Sequence, residues 1–251
     1  MGQLEGKTAV VTGGGTGIGL ASAVRLAQEG AHVFITGRRE AALAAAVAEI
    51  GEGSATAVRG DVTDPADLDR LYAAVEARGA GLDVVFANAA AASRVPLEKI
   101  TEADYAAIFD VNVLGVLRTV QKSLPLLNEG ASVILNASTA AERGAHSFGL
   151  YAASKAAVRT FARTWATELK DRGVRVNAIS PGPIATRGLG LLDGLGDEDV
   201  DAFHEQLGGA ILAGRMGLAE EVAAAVAFLA SPGSSFVMGS NLYVDGGENQ
   251  V

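Results

Sequence analysis

The chain has no cysteine among its 251 residues. Disulfides, thiolate nucleophiles and cysteine-based metal sites are therefore excluded. The three histidines, His32, His146 and His204, are scattered without metal-ligand spacing, so no metal centre is expected. Positive charge is in short supply: 20 Lys and Arg stand against 29 Asp and Glu, a formal net charge of -9. Nucleic acid and anionic membrane both demand a broad basic surface, so neither is expected as a partner. No apolar run approaches the ~20 residues of a membrane span. The opening residues, Met1 to Thr8, lack the basic start and apolar stretch of a secretory leader, which points to the cytoplasm. With 49% hydrophobic and 20% charged residues, the chain is suited to bury one sizeable core.

What is present is an alternation. Short β-branched runs at 7–12, 31–36, 55–59, 82–88, 131–136, 174–180 and 241–244 read as strands. Between them, 17–29, 40–50, 65–77, 102–127, 150–171 and 220–230 read as helices, the longest with a break near Asn112. Strand and helix in strict turn imply parallel strands joined by right-handed crossovers. The expected fold is α/β: one domain over 1–251, a Rossmann-type, doubly wound parallel sheet of about seven strands with helices on both faces. Ligands of such sheets bind beyond the carboxyl ends of the strands.

After the first strand comes Thr12-Gly13-Gly14-Gly15-Thr16-Gly17-Ile18-Gly19, opening a helix. Glycines let the backbone approach a pyrophosphate, and the helix N-terminus offers N–H donors. The second strand ends in Gly37-Arg38-Arg39. An NAD site would place an acid near Gly37 to accept from the ribose 2′-OH. Two arginines there suit a 2′-phosphate instead, so NADP(H) is the expected cofactor, with NAD(H) also possible. Asp61 and Val62 follow the third strand, either holding adenine or turning the chain. Asn88 and Ala89 follow the fourth, where small residues admit the cofactor, or where the Asn ties two strands together.

Tyr151 and Lys155 lie four residues apart in a predicted helix and share one face. A phenol titrates near ~10, so a neighbouring ammonium and an oxidised nicotinamide would be needed to make it a proton shuttle at neutral pH. Ser138 lies thirteen residues earlier, just past a strand. Its hydroxyl either stabilises a substrate oxygen or caps a turn. Asn112 sits mid-helix, where Asn has poor propensity; as a mere surface residue it would face solvent.

These four residues and the Thr-Gly-x-x-x-Gly-x-Gly pattern resemble the short-chain dehydrogenase/reductase family across essentially the whole chain, with the closest likeness to bacterial NADPH-dependent alcohol dehydrogenases that accept bulky ketones. The resemblance implies that Tyr151 donates a proton, Ser138 orients the carbonyl, Lys155 holds the nicotinamide ribose and lowers the tyrosine pKa, and Asn112 positions a water for a relay through Lys155. It also places Val111, Pro181, Gly182, Ile184 and Thr186 against the cofactor. The stretch 244–247 resembles the family's C-terminal signature. Ala90 stands where the family has glycine, adding a methyl near the cofactor. A homotetramer is implied by the same likeness alone, because Val158, Phe161, Trp165 and Leu169, at helical spacing, read as core and supply no interface.

The stretch 187–215 interrupts the alternation with glycines and apolar residues, among them Leu189, Leu191, Leu192, Leu195, Phe203, Leu207, Ile211 and Leu212. It is either a mobile lid over a hydrophobic ketone or part of the ordinary core. The expected activity is interconversion of a secondary alcohol and a hydrophobic ketone. A 3-oxoacyl thioester reductase and a non-catalytic dinucleotide sensor are the alternatives.

Overall fold

A computed structural model describes residues 2–186, 205, 207–209 and 211–250. Seven strands make one sheet: β1 (Thr8–Thr12), β2 (His32–Gly37), β3 (Ala55–Arg59), β4 (Leu82–Ala87), β5 (Leu127–Asn136), β6 (Arg175–Pro181) and β7 (Asn241–Val244). Their order is β3-β2-β1-β4-β5-β6-β7, and every neighbouring pair is parallel. The direction of winding reverses between β1 and β4, which opens a crevice at their carboxyl ends.

Alternation along the strands builds two cores. Val10, Phe34, Val85, Val133 and Val176 face one layer, which is closed by α3 (Pro65–Ala77), α5 (Val116–Ser123) and α6 (Gly149–Glu168). Ala9, Val11, Val33, Ile35, Phe86 and Ile134 face the other, closed by α1 (Gly17–Gln28), α2 (Glu40–Ile50) and α7 (Ala219–Ala230). Each fully buried Val, Leu, Ile or Phe contributes roughly 1.5–3 kcal/mol relative to exposure. Doubly buried strands are what an all-parallel sheet requires. The expected stripe on α6 is core: Val158 is fully buried, and Phe161, Trp165 and Leu169 pack against the same cluster.

The strands fall where expected to within a residue or two, except β5. The long helix over 102–127 is instead α4 (Glu102–Phe109), a wider π-helical stretch over Asp110–Gly115, α5, and a 3-10 turn over Leu124–Leu126. Pro125 cannot continue the α-helix. Leu127 then starts β5 four residues earlier than the apolar run suggests, pairing with Leu82 before a register shift. In the wide turn, a Cβ at Gly115 would lie 2.8 Å from Val62 Cγ2, so helix and loop touch there without a side chain between them. The expected lid over 187–215 lies largely outside the described residues. Of its apolar members that are described, Leu207 is half-buried, Ile211 is buried against Gly246 and Leu212 is exposed. Among the described residues, no helix is long and apolar enough to cross a membrane.

Candidate active site

The glycine loop turns at Gly13 (φ +65) and Gly17 (φ +56), a left-handed backbone that glycine adopts without penalty. A Cβ on Gly19 would lie 2.2 Å from the Gly13 carbonyl oxygen and 2.6 Å from Asn88 Nδ2. Thr16 precedes α1 without capping it through its side chain, so the first-turn N–H groups keep their capacity for an anion. Thr186 Cγ2 would stand 3.5 Å from a Cβ on Gly17, bringing the two expected contacts side by side.

Beyond β2 and β3 lies a cleft of about 770 Å³ lined by Arg38, Arg59, Gly60, Asp61, Asp67 and Arg70 among others. Arg39 donates to Thr16 Oγ1 at 3.3 Å, bridging the strand end to the glycine loop. Gly37 pairs with Arg59 in register, and a Cβ at Gly37 would meet only Leu43 at 3.7 Å. Packing therefore does not demand glycine there. Asp61 does turn the chain, accepting from the N–H and hydroxyl of Thr63 at 2.9 Å each. Val62 is buried in the core and Val111 packs against it.

Asn88 is a knot. Its N–H donates to Thr12 Oγ1 at 3.0 Å, and its Nδ2 donates to the carbonyls of Thr12 at 2.9 Å and Gly13 at 3.4 Å. The N–H of Ala89 donates to the same Thr12 hydroxyl. Asn136, at the end of β5, donates through Nδ2 to Asn88 Oδ1 at 2.9 Å. Its main-chain carbonyl accepts from Lys155 Nζ at 2.7 Å. Lys155 is 2% exposed, and burial lowers its pKa to about 7.

Tyr151 stacks on Phe148, ring centres 4.5 Å apart, and Lys155 Nζ sits 5.6 Å from the Tyr151 ring centre. Desolvation pushes the phenol up from its ordinary value, and a side-chain hydrogen bond with Ser138 pulls it back. In the protein alone burial dominates, driving phenol and ammonium both toward their neutral forms. Ser138 also caps a short turn, Oγ accepting from Ala140 N–H at 3.2 Å. The turn-capping use is therefore present, and the same hydroxyl reaches Tyr151. Asn112 is fully buried, not solvent-facing. Its Oδ1 accepts from Ala91 N–H at 2.7 Å, and its Nδ2 donates to the Ala91 carbonyl at 2.8 Å and to Ser154 Oγ at 2.9 Å.

A second cleft, of about 280 Å³, gathers Ile18, Ser138, Tyr151, Pro181, Gly182, Ile184 and Thr186 with Ala90, Ala91, Ala92 and Asn136. Asn112, Val62 and Val111 stand behind the clefts rather than on these walls. Sequence reading missed Asn136, Arg59 and Ser154. A polar residue closing an apolar strand was a usable signal for Asn136. Arg59 needed the strand pairing. The residues suit a dinucleotide on structural grounds: a glycine cradle that a Cβ would fill, a cleft lined by three guanidinium groups, and a buried acceptor, Asn136 Oδ1, without a partner among the described residues.

Comparison with known proteins agrees. A family model described as Enoyl-(Acyl carrier protein) reductase matches residues 13–249. The chain is 47% identical over 251 residues to oxidoreductase asL5 of Sarocladium schorii, covering 99% of this chain and 98% of that one. It is 35% identical over 260 residues to sorbitol dehydrogenase of Cereibacter sphaeroides, with 98% of each covered. A solved short-chain dehydrogenase/reductase of Brucella melitensis, described as a glucose/ribitol dehydrogenase, superposes with TM-score 0.92 at 30% identity, covering 100% of both chains.

The close approach of α1 to the loop is testable. Gly19→Ala should lower the free energy of unfolding by about 2 kcal/mol, because the overpacking cost exceeds the helix-propensity gain. Chemical denaturation measures this; a neutral or stabilised variant would show that the contact is not tight.

Proposed function

The chain belongs to the short-chain dehydrogenase/reductase family, an oxidoreductase that interconverts alcohols and carbonyl compounds, and we propose that it uses NADP(H) and acts on ketones with apolar substituents. The observation that carries the reading is the small cleft in which the phenol of Tyr151 and the hydroxyl of Ser138 meet walls of Ala90, Ala91 and Ala92. Hydroxyl-rich sugars would find few polar partners on those alanines, which argues against carrying over the polyol named for the sorbitol dehydrogenase relative.

The dinucleotide, when bound, supplies the hydride in reduction and receives it in oxidation. The chain's own residues manage the proton and the position. Tyr151 gives its phenolic proton to the carbonyl oxygen, or takes it from the alcohol in reverse. Ser138 holds that oxygen by hydrogen bonding. Lys155, charged, steadies the phenolate left behind and holds the nicotinamide ribose. Asn112 anchors Ala91, and the expected relay water would use the remaining lone pair of its Oδ1. Gly13, Thr16, Gly17, Ile18 and Gly19 would take the pyrophosphate, and Arg38 and Arg39 the 2′-phosphate. The adenine would lie near Asp61 and Val62. Asn88, Ala89, Val111, Pro181, Gly182, Ile184 and Thr186 would flank the nicotinamide half.

A homotetramer fits the exposed apolar side chains beside the free edge of β7, where Phe228, Phe236 and Met238 stand at 44%, 102% and 47% exposure. Sedimentation giving a monomer mass would remove that part. The thioester reductase alternative draws on the wording of the family model, but a chain of net charge -9 offers little to an acidic carrier.

Tyr151→Phe should reduce kcat by about 10²–10⁴-fold while leaving cofactor binding intact. Unchanged turnover would refute the proton-transfer role. Arg38→Ala with Arg39→Ala should weaken NADPH binding by about tenfold or more and leave NADH nearly unaffected; equal loss for both would refute the 2′-phosphate assignment. A ketone panel should favour aryl and medium-chain substrates, and turnover confined to sugars or acyl thioesters would overturn the substrate class.

A further inference from the structure

Asn136 is bonded in two directions and unpaired in a third. Its main-chain carbonyl takes the buried Lys155 ammonium at 2.7 Å. Its amide nitrogen donates to Asn88 Oδ1 at 2.9 Å, and Asn88 in turn donates to the carbonyls of Thr12 and Gly13. A buried chain of amides therefore runs from the lysine to the first residues of the glycine loop. The carbonyl that holds Lys155 can sit only where that chain and the neighbouring strand allow. The N–H of Ala137 donates to Ile179 at 2.8 Å, fixing β5 against β6 just beyond it.

The side-chain oxygen is different. Asn136 is 8% exposed, lines the small cleft, and its Oδ1 has no donor among the described residues. Reversing the amide does not help, because the nitrogen is needed by Asn88 Oδ1. Buried acceptors are seldom left unpaired unless a ligand or water completes them. The same cleft holds Ser138, Tyr151, Ile184 and Thr186, so a donor arriving there comes with the reacting half of the dinucleotide.

We infer that Asn136 is a positioning residue for Lys155 whose side-chain oxygen accepts a hydrogen bond from the nicotinamide-ribose half of the cofactor, so that seating the cofactor and placing the lysine are one event. This rests on the dinucleotide reading given above. It asks nothing of the adenosine half.

The test compares binding of NADPH with binding of 2′,5′-ADP, which lacks the nicotinamide. For Asn136→Ala, the dissociation constant for NADPH should rise about tenfold, as for one lost hydrogen bond, with 2′,5′-ADP within twofold of the parent protein. Asn136→Asp supplies a second readout and is the deciding one if the alanine variant does not fold. A carboxylate beside Lys155 and Tyr151 favours the ammonium and disfavours the phenolate, so the pH inflection of kcat for alcohol oxidation should move up by at least about half a unit. The inference is overturned if Asn136→Ala binds NADPH as the parent does, if both ligands weaken equally, or if the inflection for Asn136→Asp does not move. Failure of the NADP reading looks different: the parent protein itself would then bind NADH and not 2′,5′-ADP. The same comparison is then made with NADH and 5′-AMP.

Discussion

A lysine ammonium buried at the carboxyl edge of the sheet, held by one main-chain carbonyl, sets the terms for everything around it. Lys155 is 2% exposed and its bond to Asn136 is 2.7 Å long. Burying a charge is costly unless it is paired and hydrogen-bonded, and no carboxylate is paired with Lys155 among the described ion pairs. The result is an amine brought down to about 7, poised between charged and neutral near physiological pH. Its neighbour Tyr151 is pushed the opposite way by the same desolvation. A site that holds both groups close to neutral responds strongly to any further charge placed beside them.

The scaffold explains why that arrangement is held in place. Parallel strands, the central ones buried on both faces, converge on a crevice where winding reverses. Asn88 ties β1, the glycine loop and β5 together there, and Asn112 pins Ala91 through both its N–H and its carbonyl. Polar side chains buried in such a position are satisfied by backbone groups rather than by water, which fixes them to the frame. The glycines of the loop are then requirements of packing as well as of turning: at Gly19 the main chain of Gly13 occupies the space a methyl would need.

Much of this was legible in the residues alone. The β-α alternation is enough to specify a parallel sheet, and α2, β3, α3 and β7 fall on the expected residues. The spacing of Tyr151 and Lys155 correctly puts both on one face of α6. Periodicity could not see the π-helical turn at Asp110–Gly115, because one extra residue in a turn leaves the apolar pattern almost unchanged. Nor could it see β5 beginning at Leu127, because the buried leucine is followed by half-exposed Asn128 and exposed Glu129 and Gly130. Asn136 and Arg59 acquire meaning only through partners 48 residues away across the sheet and in the neighbouring strand, respectively. The balance between phenol and amine in the protein alone was out of reach for a similar reason: charge proximity can be read from spacing, whereas desolvation depends on the packed interior.

The most direct test is titration of the Lys155 side chain by NMR in isotopically labelled protein without ligand, with Lys155→Met to assign the resonance. A midpoint close to 7 is predicted. A midpoint near the ordinary lysine value of 10.5 would mean that the ammonium is solvated or otherwise paired, and would contradict the view that burial at the end of β5 tunes this site.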